Sequence, residues 1–235
     1  MKLAKRLAAL SDYVPEGSVV ADIGTDHALL PIYLIESGKC RRVIATDINP
    51  GPLQAARQAV AARQAVAAGS LGDFIDLRLG DGLAPLAAGE ADVIVLAGMG
   101  SKTIIDIFTA APSILEKAGR LIMQPMTGGE SLRLWLAGNC RRFVGERLVL
   151  EGSRLYQIIV AEHGREPVTE PVLLSLGPRL FEDRDPLLPL YLQQVTERYR
   201  RVLAGLRSGK SSETMKKAEF LEDKLQKIEE MIRCL

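Results

Sequence analysis

A chain of 235 residues, 47% apolar and 25% charged, has length for one full core and a small appendage, and its composition excludes wholesale disorder. A formal net charge of +1 excludes a uniformly basic nucleic-acid coat while allowing a local basic face. No apolar run reaches about 18 residues, so no membrane-spanning helix is expected. Cys40, Cys140 and Cys234 lie too far apart for a disulfide framework or a CxxC metal pair, and a reducing cytoplasm is the expected setting.

The opening MKLAKRLAAL has a basic start but no hydrophobic core before Ser11 and Asp12, and it reads as an amphipathic helix rather than a signal peptide. Strand-like and helical runs then alternate: SVVADIG, a helix from about Ala28, RRVIATDI, and a long alanine-rich helix from Pro50. FIDLRLG and ADVIVLAGMG follow, then a helix through IIDIF, then GRLIMQP and a helix containing LRLWL. Strands apolar on both faces, alternating with helices, signify an α/β fold with a parallel sheet covered on both sides. RRFVGERLVL and RLYQIIVAE are separated only by Glu151-Gly152-Ser153, too short for a crossover, so one reversed strand is predicted. The repeat of AARQAV is too short for a solenoid unit and reads as alanine-rich helix.

From about Gly164 the pattern changes, giving a boundary between residues 1–164 and 165–235. Pro167, Pro171, Gly177, Pro178, Pro186 and Pro189 punctuate a stretch that reads as a linker. Beyond it, Tyr191, Val195, Tyr199, Val202 and Leu206, then Ala218, Leu221, Leu225, Ile228 and Ile232, recur at helical spacing. They predict an αα-hairpin resembling a short antiparallel coiled coil, with Ser211 or Ser212 capping its second helix.

Chemistry concentrates at the strand ends. Asp22 closes the first strand, Asp47 the second, and Asp81 follows the third; in a parallel sheet all three line one crevice at the carboxyl edge. Asp47 is placed to accept from ribose hydroxyls. The turn D-I-G-T-D-H lacks the GxGxxG of a nicotinamide enzyme, and Asp22 and Asp26 would repel a pyrophosphate. A cationic ligand suits them better. S-adenosyl-L-methionine, with its ammonium, sulfonium, ribose and adenine, matches the acids in chain order. Gly98, Met99 and Gly100 either let a substrate approach the backbone or form a plain turn. Gln124, before Pro125 and Met126, either reads a base edge or caps a strand, and His27 is as readily a hydrogen-bonded turn residue as a catalytic one. Metal hydrolysis and acyl transfer lack a motif, so no metal is expected. RYRRVLAGLRSGK, with Arg198, Arg200, Arg201, Arg207 and Lys210 and no acid, is the best nucleic-acid candidate, although such a surface also suits a solvated coiled-coil face. Lys5, Arg6, Arg141 and Arg142 extend this basic track toward the crevice.

DIGTDHALLP, ATDINPGPL, GDGL, GMG, LIMQP and the later GPRL and DPLLPLYL resemble, in order through nearly the whole chain, the bacterial tRNA (adenine-22-N1)-methyltransferase family. The resemblance implies a Rossmann-like class I methyltransferase fold, seven strands with the last reversed, S-adenosyl-L-methionine as cofactor, and a C-terminal coiled coil that helps hold tRNA. It implies that Asp22, Gly24, Asp26 and His27 surround the methionine portion and that Asp47 and Ile48 meet the ribose. Asp81 and Gly82 would approach the adenine, with Gly98 to Gly100 bordering the methyl-transfer site. Where members often read Asn after Gln-Pro, this chain has Met126, which leaves Asp26, Gln124 and Pro125 as the residues expected at the reacting base. A monomer is expected. The alternatives are a methyltransferase for another RNA base or a small molecule, a noncatalytic RNA-binding module and, last, a dehydrogenase.

Overall fold

The computed structural model describes residues 3–66, 71–167, 170–207 and 211–233. Seven strands form one sheet in the order β3-β2-β1-β4-β5-β7-β6. They are β1 (Ser18–Ile23), β2 (Cys40–Asp47), β3 (Ile75–Leu79), β4 (Val93–Met99), β5 (Arg120–Pro125), β6 (Arg141–Glu151) and β7 (Arg154–His163). All pairings through β5 are parallel, whereas β7 runs antiparallel to both β5 and β6. The reversed strand is thus β7, turned back through Gly152-Ser153, where Gly152 takes φ +59°, a conformation a tight hairpin favours.

The period-two pattern sorts side chains between two cores. Val20, Val43, Val95, Ile122 and Val160 pack on one face with α1 (Lys5–Asp12), α2 (Leu29–Glu36) and α3 (Pro50–Val66). Ala21, Ile44, Leu96, Met123 and Ile159 pack on the other with α5 (Ser101–Ala110) and α7 (Gly129–Gly138). The short α4 (Leu71–Phe74) precedes β3, and α6 (Pro112–Lys117) precedes β5.

The stretch expected to be a linker is instead two short helices, α8 (Pro171–Leu176) and α9 (Pro178–Glu182), with Val172, Leu176 and Leu180 buried. Their prolines stand at the first helical position, where a missing N–H costs nothing, so proline marks helix starts here. Both helices pack on a buried ion pair: Arg133 Nε lies 2.6 Å from Glu146 Oε1, with both side chains fully covered. Glu146 Oε2 also accepts from the Arg179 backbone N–H at 3.0 Å. A side chain at Gly177, where φ is +116°, would press on the Arg133 guanidinium.

The hairpin forms as expected from α10 (Leu188–Arg207) and α11 (Ser212–Arg233). Tyr191, Val195, Tyr199 and Leu203 are buried against Ala218, Leu225 and Ile228, together with Leu148 of β6. The spacing of four persists one step further than expected, so Leu203 faces inward and Val202 is half exposed. Ser211 Oγ accepts from the Thr214 N–H at 3.1 Å and caps α11.

Candidate active site

The carboxyl edge of β1, β2 and β4 carries two adjoining cavities that share one residue, Gly24. The first, about 290 Å³, lies over the β1–α2 turn and is lined by Asp22, Asp26, His27, Gly98 and Arg6. The second, about 300 Å³, is bounded by Asp47, Ile48, Asp81, Gly82, Met99 and Ile107. The predicted cofactor residues are thus brought together, except Gly100, which begins the turn into α5 just beyond them.

The turn is held by its backbone. The Gly24 and Thr25 N–H groups both donate to the Thr46 carbonyl, at 2.8 and 2.9 Å. Asp26 and Ala28 each take φ +52°, a conformation L-residues avoid at a cost of about 1–2 kcal/mol apiece. Such strain concentrates at ligand sites. It presents Asp26 and His27 to solvent, with His27 Nε2 3.6 Å from Asp26 Oδ1. Gly24, at φ +76°, has no space for a side chain, because a Cβ would collide with Met99 Cε.

Asp22 and Asp47 are both buried, at 6% and 7% exposure. Burial first, with a smaller push from the neighbouring Asp47, raises the Asp22 carboxyl to about 6. Its buried charge at neutral pH is costly, and a cation placed beside it offsets that cost. Asp47 is oriented at both oxygens: Oδ1 accepts from the Asn49 N–H at 2.9 Å and Oδ2 from the Asp26 N–H at 3.4 Å. Ile48, 57% exposed beside it, offers an uncovered apolar surface for a flat ring. An acidic half for ammonium and sulfonium thus joins a half with an oriented acid for ribose hydroxyls and apolar walls for a base. This donor set fits S-adenosyl-L-methionine.

Three expected residues sit differently. Arg6 turns from the basic track into the acidic cavity, with Nη1 3.4 Å from Gln124 Oε1 and Nε 3.7 Å from Glu151. Gln124 is completely buried, its amide held between Arg6 and the Met126 sulfur, so it presents no edge to a base. Arg141, with Arg142, lies at the start of β6, on the edge opposite the crevice, and its guanidinium is buried against the Leu115 and Ala118 carbonyls. Arg142 is likewise spent on Glu162, so no basic track runs to the crevice there. Lys5 is exposed, its backbone N–H bonded to Glu151.

On the hairpin the basic residues divide. Arg200 pairs with Glu229 and Arg207 with Glu222, each at 2.7 Å, which joins the two helices. Arg198 and Arg201 face a third cleft of about 370 Å³, walled by Pro125 to Gly128 on one side and α10 on the other. Lys210 lies outside the described residues. Sequence reasoning missed Glu130, in the first turn of α7, whose carboxylate accepts from Tyr199 Oη at 2.5 Å and from Lys224 Nζ. An acid in a helical first turn was the only signal, and it is a common one. Among the described residues no cluster of side chains suits a metal ion.

This sheet order, with one reversed strand and an acid-lined crevice at its carboxyl edge, defines the chain as a Rossmann-like methyltransferase. The family model described as "Methyltransferase domain" matches residues 3–159. The chain is 32% identical over 238 residues to the tRNA (adenine(22)-N(1))-methyltransferase of Bacillus subtilis (strain 168), with 99% of this chain and 98% of that protein covered. The crystal structure of the B. subtilis M1A22 tRNA methyltransferase TrmK superposes with a TM-score of 0.88 at 30% identity, covering 98% of this chain and 99% of that one. M. capricolum TrmK, solved with S-adenosyl-homocysteine, gives 0.82 at 25% identity, with 99% of both chains covered. The chain belongs to the tRNA (adenine(22)-N1)-methyltransferase family.

Proposed function

We propose that this enzyme transfers a methyl group from S-adenosyl-L-methionine to N1 of adenine 22 in tRNA. The observation that carries the reading is the pair of cavities meeting at Gly24, in a chain that matches a tRNA (adenine(22)-N(1))-methyltransferase from end to end. When bound, the cofactor supplies an electrophilic methyl group on a sulfonium. Asp22 and Asp26 hold the cationic end, Arg6 meets its carboxylate, and Asp47 takes the ribose hydroxyls beside Ile48. Asp81 and Gly82 border the base.

Adenine N1 carries its own lone pair, so this chain has no proton to remove before attack. Its work is alignment, together with stabilising the positive charge that the methylated ring acquires. Asp26, exposed at the mouth of the acidic cavity, is the carboxylate assigned to that charge. N1 belongs to the pairing edge, so the target must be unpaired or drawn out of its stack. Residues 1–164 supply the cofactor site, and the hairpin within residues 165–235 supplies a tRNA contact.

The test is to incubate the protein with labelled S-adenosyl-L-methionine and unmodified tRNA transcripts and map the methylated nucleoside. N1-methyladenosine at position 22 supports the reading. A label at another position rejects the target and keeps the chemistry, and bound cofactor without RNA methylation redirects the search to small-molecule acceptors.

A further inference from the structure

The cleft between the β5–α7 turn and α10 belongs to neither cofactor cavity. It is joined to them through the backbone: the Met126 N–H donates to the Met99 carbonyl at 2.7 Å, so the lip of the cleft is fixed to the strand end that borders the cofactor. Its apolar wall is Leu155 and Val195, with Met126 37% exposed.

The polar groups in it are arranged for a ligand. Gln157 lines the cleft, and its Oε1 is taken by the fully buried Arg133 guanidinium at 3.1 Å, so the amide N–H₂ is the end left for the cleft. Arg133 is itself locked to Glu146 at 2.6 Å and to the Ser175 carbonyl at 3.3 Å, which makes Gln157 a preorganised donor. Gln194, one helical turn before Arg198, adds an amide with both a donor and an acceptor end. Arg198 and Arg201 stand one turn apart on the same wall, and among the described residues neither forms an ion pair. Their neighbours on the other face, Arg200 and Arg207, are both paired. The carboxylate on the wall, Glu197, accepts from Gln193 Nε2 at 3.2 Å.

We infer that this cleft seats the acceptor nucleotide. The base lies against Met126, Leu155 and Val195 with N3 or N7 and the amino group met by Gln157 and Gln194 and N1 left free for attack, and Arg198 and Arg201 hold the flanking phosphates. An unstacked purine needs this combination of an apolar slot, fixed amides and two adjacent guanidinium groups. The inference rests on the reading of the chain as an RNA methyltransferase and adds to it the residues that choose and place the base.

The experiment compares wild type with Arg198→Ala, Arg201→Ala, Arg200→Ala and Gln194→Ala. Binding of an unmodified tRNA transcript is measured at saturating S-adenosylhomocysteine, and methyl transfer is measured separately. Arg198→Ala and Arg201→Ala are each expected to weaken binding about tenfold, and to reduce the dependence of log affinity on log salt by about 0.7–0.9. Arg200→Ala removes the same charge from the other face and should stay within about twofold of wild type. Gln194→Ala, on an exposed side chain, should lower kcat about tenfold with transcript affinity changed less than about threefold. Equal losses in Arg200→Ala and Arg201→Ala would reduce the cleft to diffuse charge and overturn the inference, as would wild-type behaviour of Arg198→Ala and Arg201→Ala. If wild type binds the transcript but methylates no adenine, the proposed function fails while the binding ratios still decide the seat. If wild type binds no transcript, both fall.

Discussion

Gly24 is the residue at which the two cavities meet, and replacing it with alanine tests directly whether they hold one ligand between them. At φ +76° an alanine pays about 1–2 kcal/mol of backbone strain. Its Cβ would meet Met99 Cε, and pushing that side chain off its rotamer costs about 0.5–1.5 kcal/mol more. The free protein can relieve both by letting the turn move, so the total of about 1.5–3.5 kcal/mol falls on the bound state, a loss of roughly 10- to 300-fold in cofactor affinity. Isothermal titration with S-adenosylhomocysteine reads this loss, and thermal unfolding of the free protein checks that the fold survives. Adding Met99→Ala in a double-mutant cycle should return the steric part, up to about tenfold, and leave the backbone part. Affinity within threefold of wild type in the single variant would mean that the two cavities do not share a ligand across Gly24.

Asp22 gives a stability signature that opposes its function. Its folded carboxyl titrates at about 6 against 3.8 for an exposed aspartate, so its stabilising contribution is full below pH 3.8 and lost as pH rises through 6. About two pH units correspond to a loss of about 3 kcal/mol at neutral pH. Ligand-free Asp22→Asn should therefore melt roughly 6–12 °C above wild type at pH 8, the gap closing near pH 4, while cofactor affinity falls. Glu146→Gln strands a buried Arg133 and is expected to cost about 3–5 kcal/mol, read by denaturant titration. Arg141→Ala should lower the melting temperature yet leave tRNA affinity unchanged, since its guanidinium serves two carbonyls on the far edge of the sheet; weakened tRNA binding in a folded variant would restore it to the RNA surface.

Much of the fold was legible because its signals are local. Continuous apolar runs mark buried parallel strands, a three-residue connection is too short for a crossover and reverses the chain, and spacing of three and four marks the hairpin. The acids of the site were legible too, since strand ends in a parallel sheet share an edge. What escaped depends on partners distant in the chain. Arg141 looks like any surface arginine until α6 supplies carbonyls for it, and Arg6 is drawn to the crevice by Gln124, which is 118 residues away. The prolines of α8 and α9 carry the same letters whether they open helices or break a linker, and only the apolar surface beneath them decides. Gln157 comes beside the end of β5 because β7 runs next to it, and Gln194 joins it only because α10 walls the same cleft, facts of topology that no single segment contains.

Glu130 holds α10 through Tyr199 and α11 through Lys224 at the same carboxylate, two residues after the turn that forms the lip of the cleft. The twenty-residue α10 is about 30 Å long, and Tyr199 sits near its middle. One carboxylate therefore clasps both arms of the hairpin to the helix behind the lip, so the two walls of the cleft are tied by charge as well as by packing, and the loss of that single side chain would free both arms from the lip together.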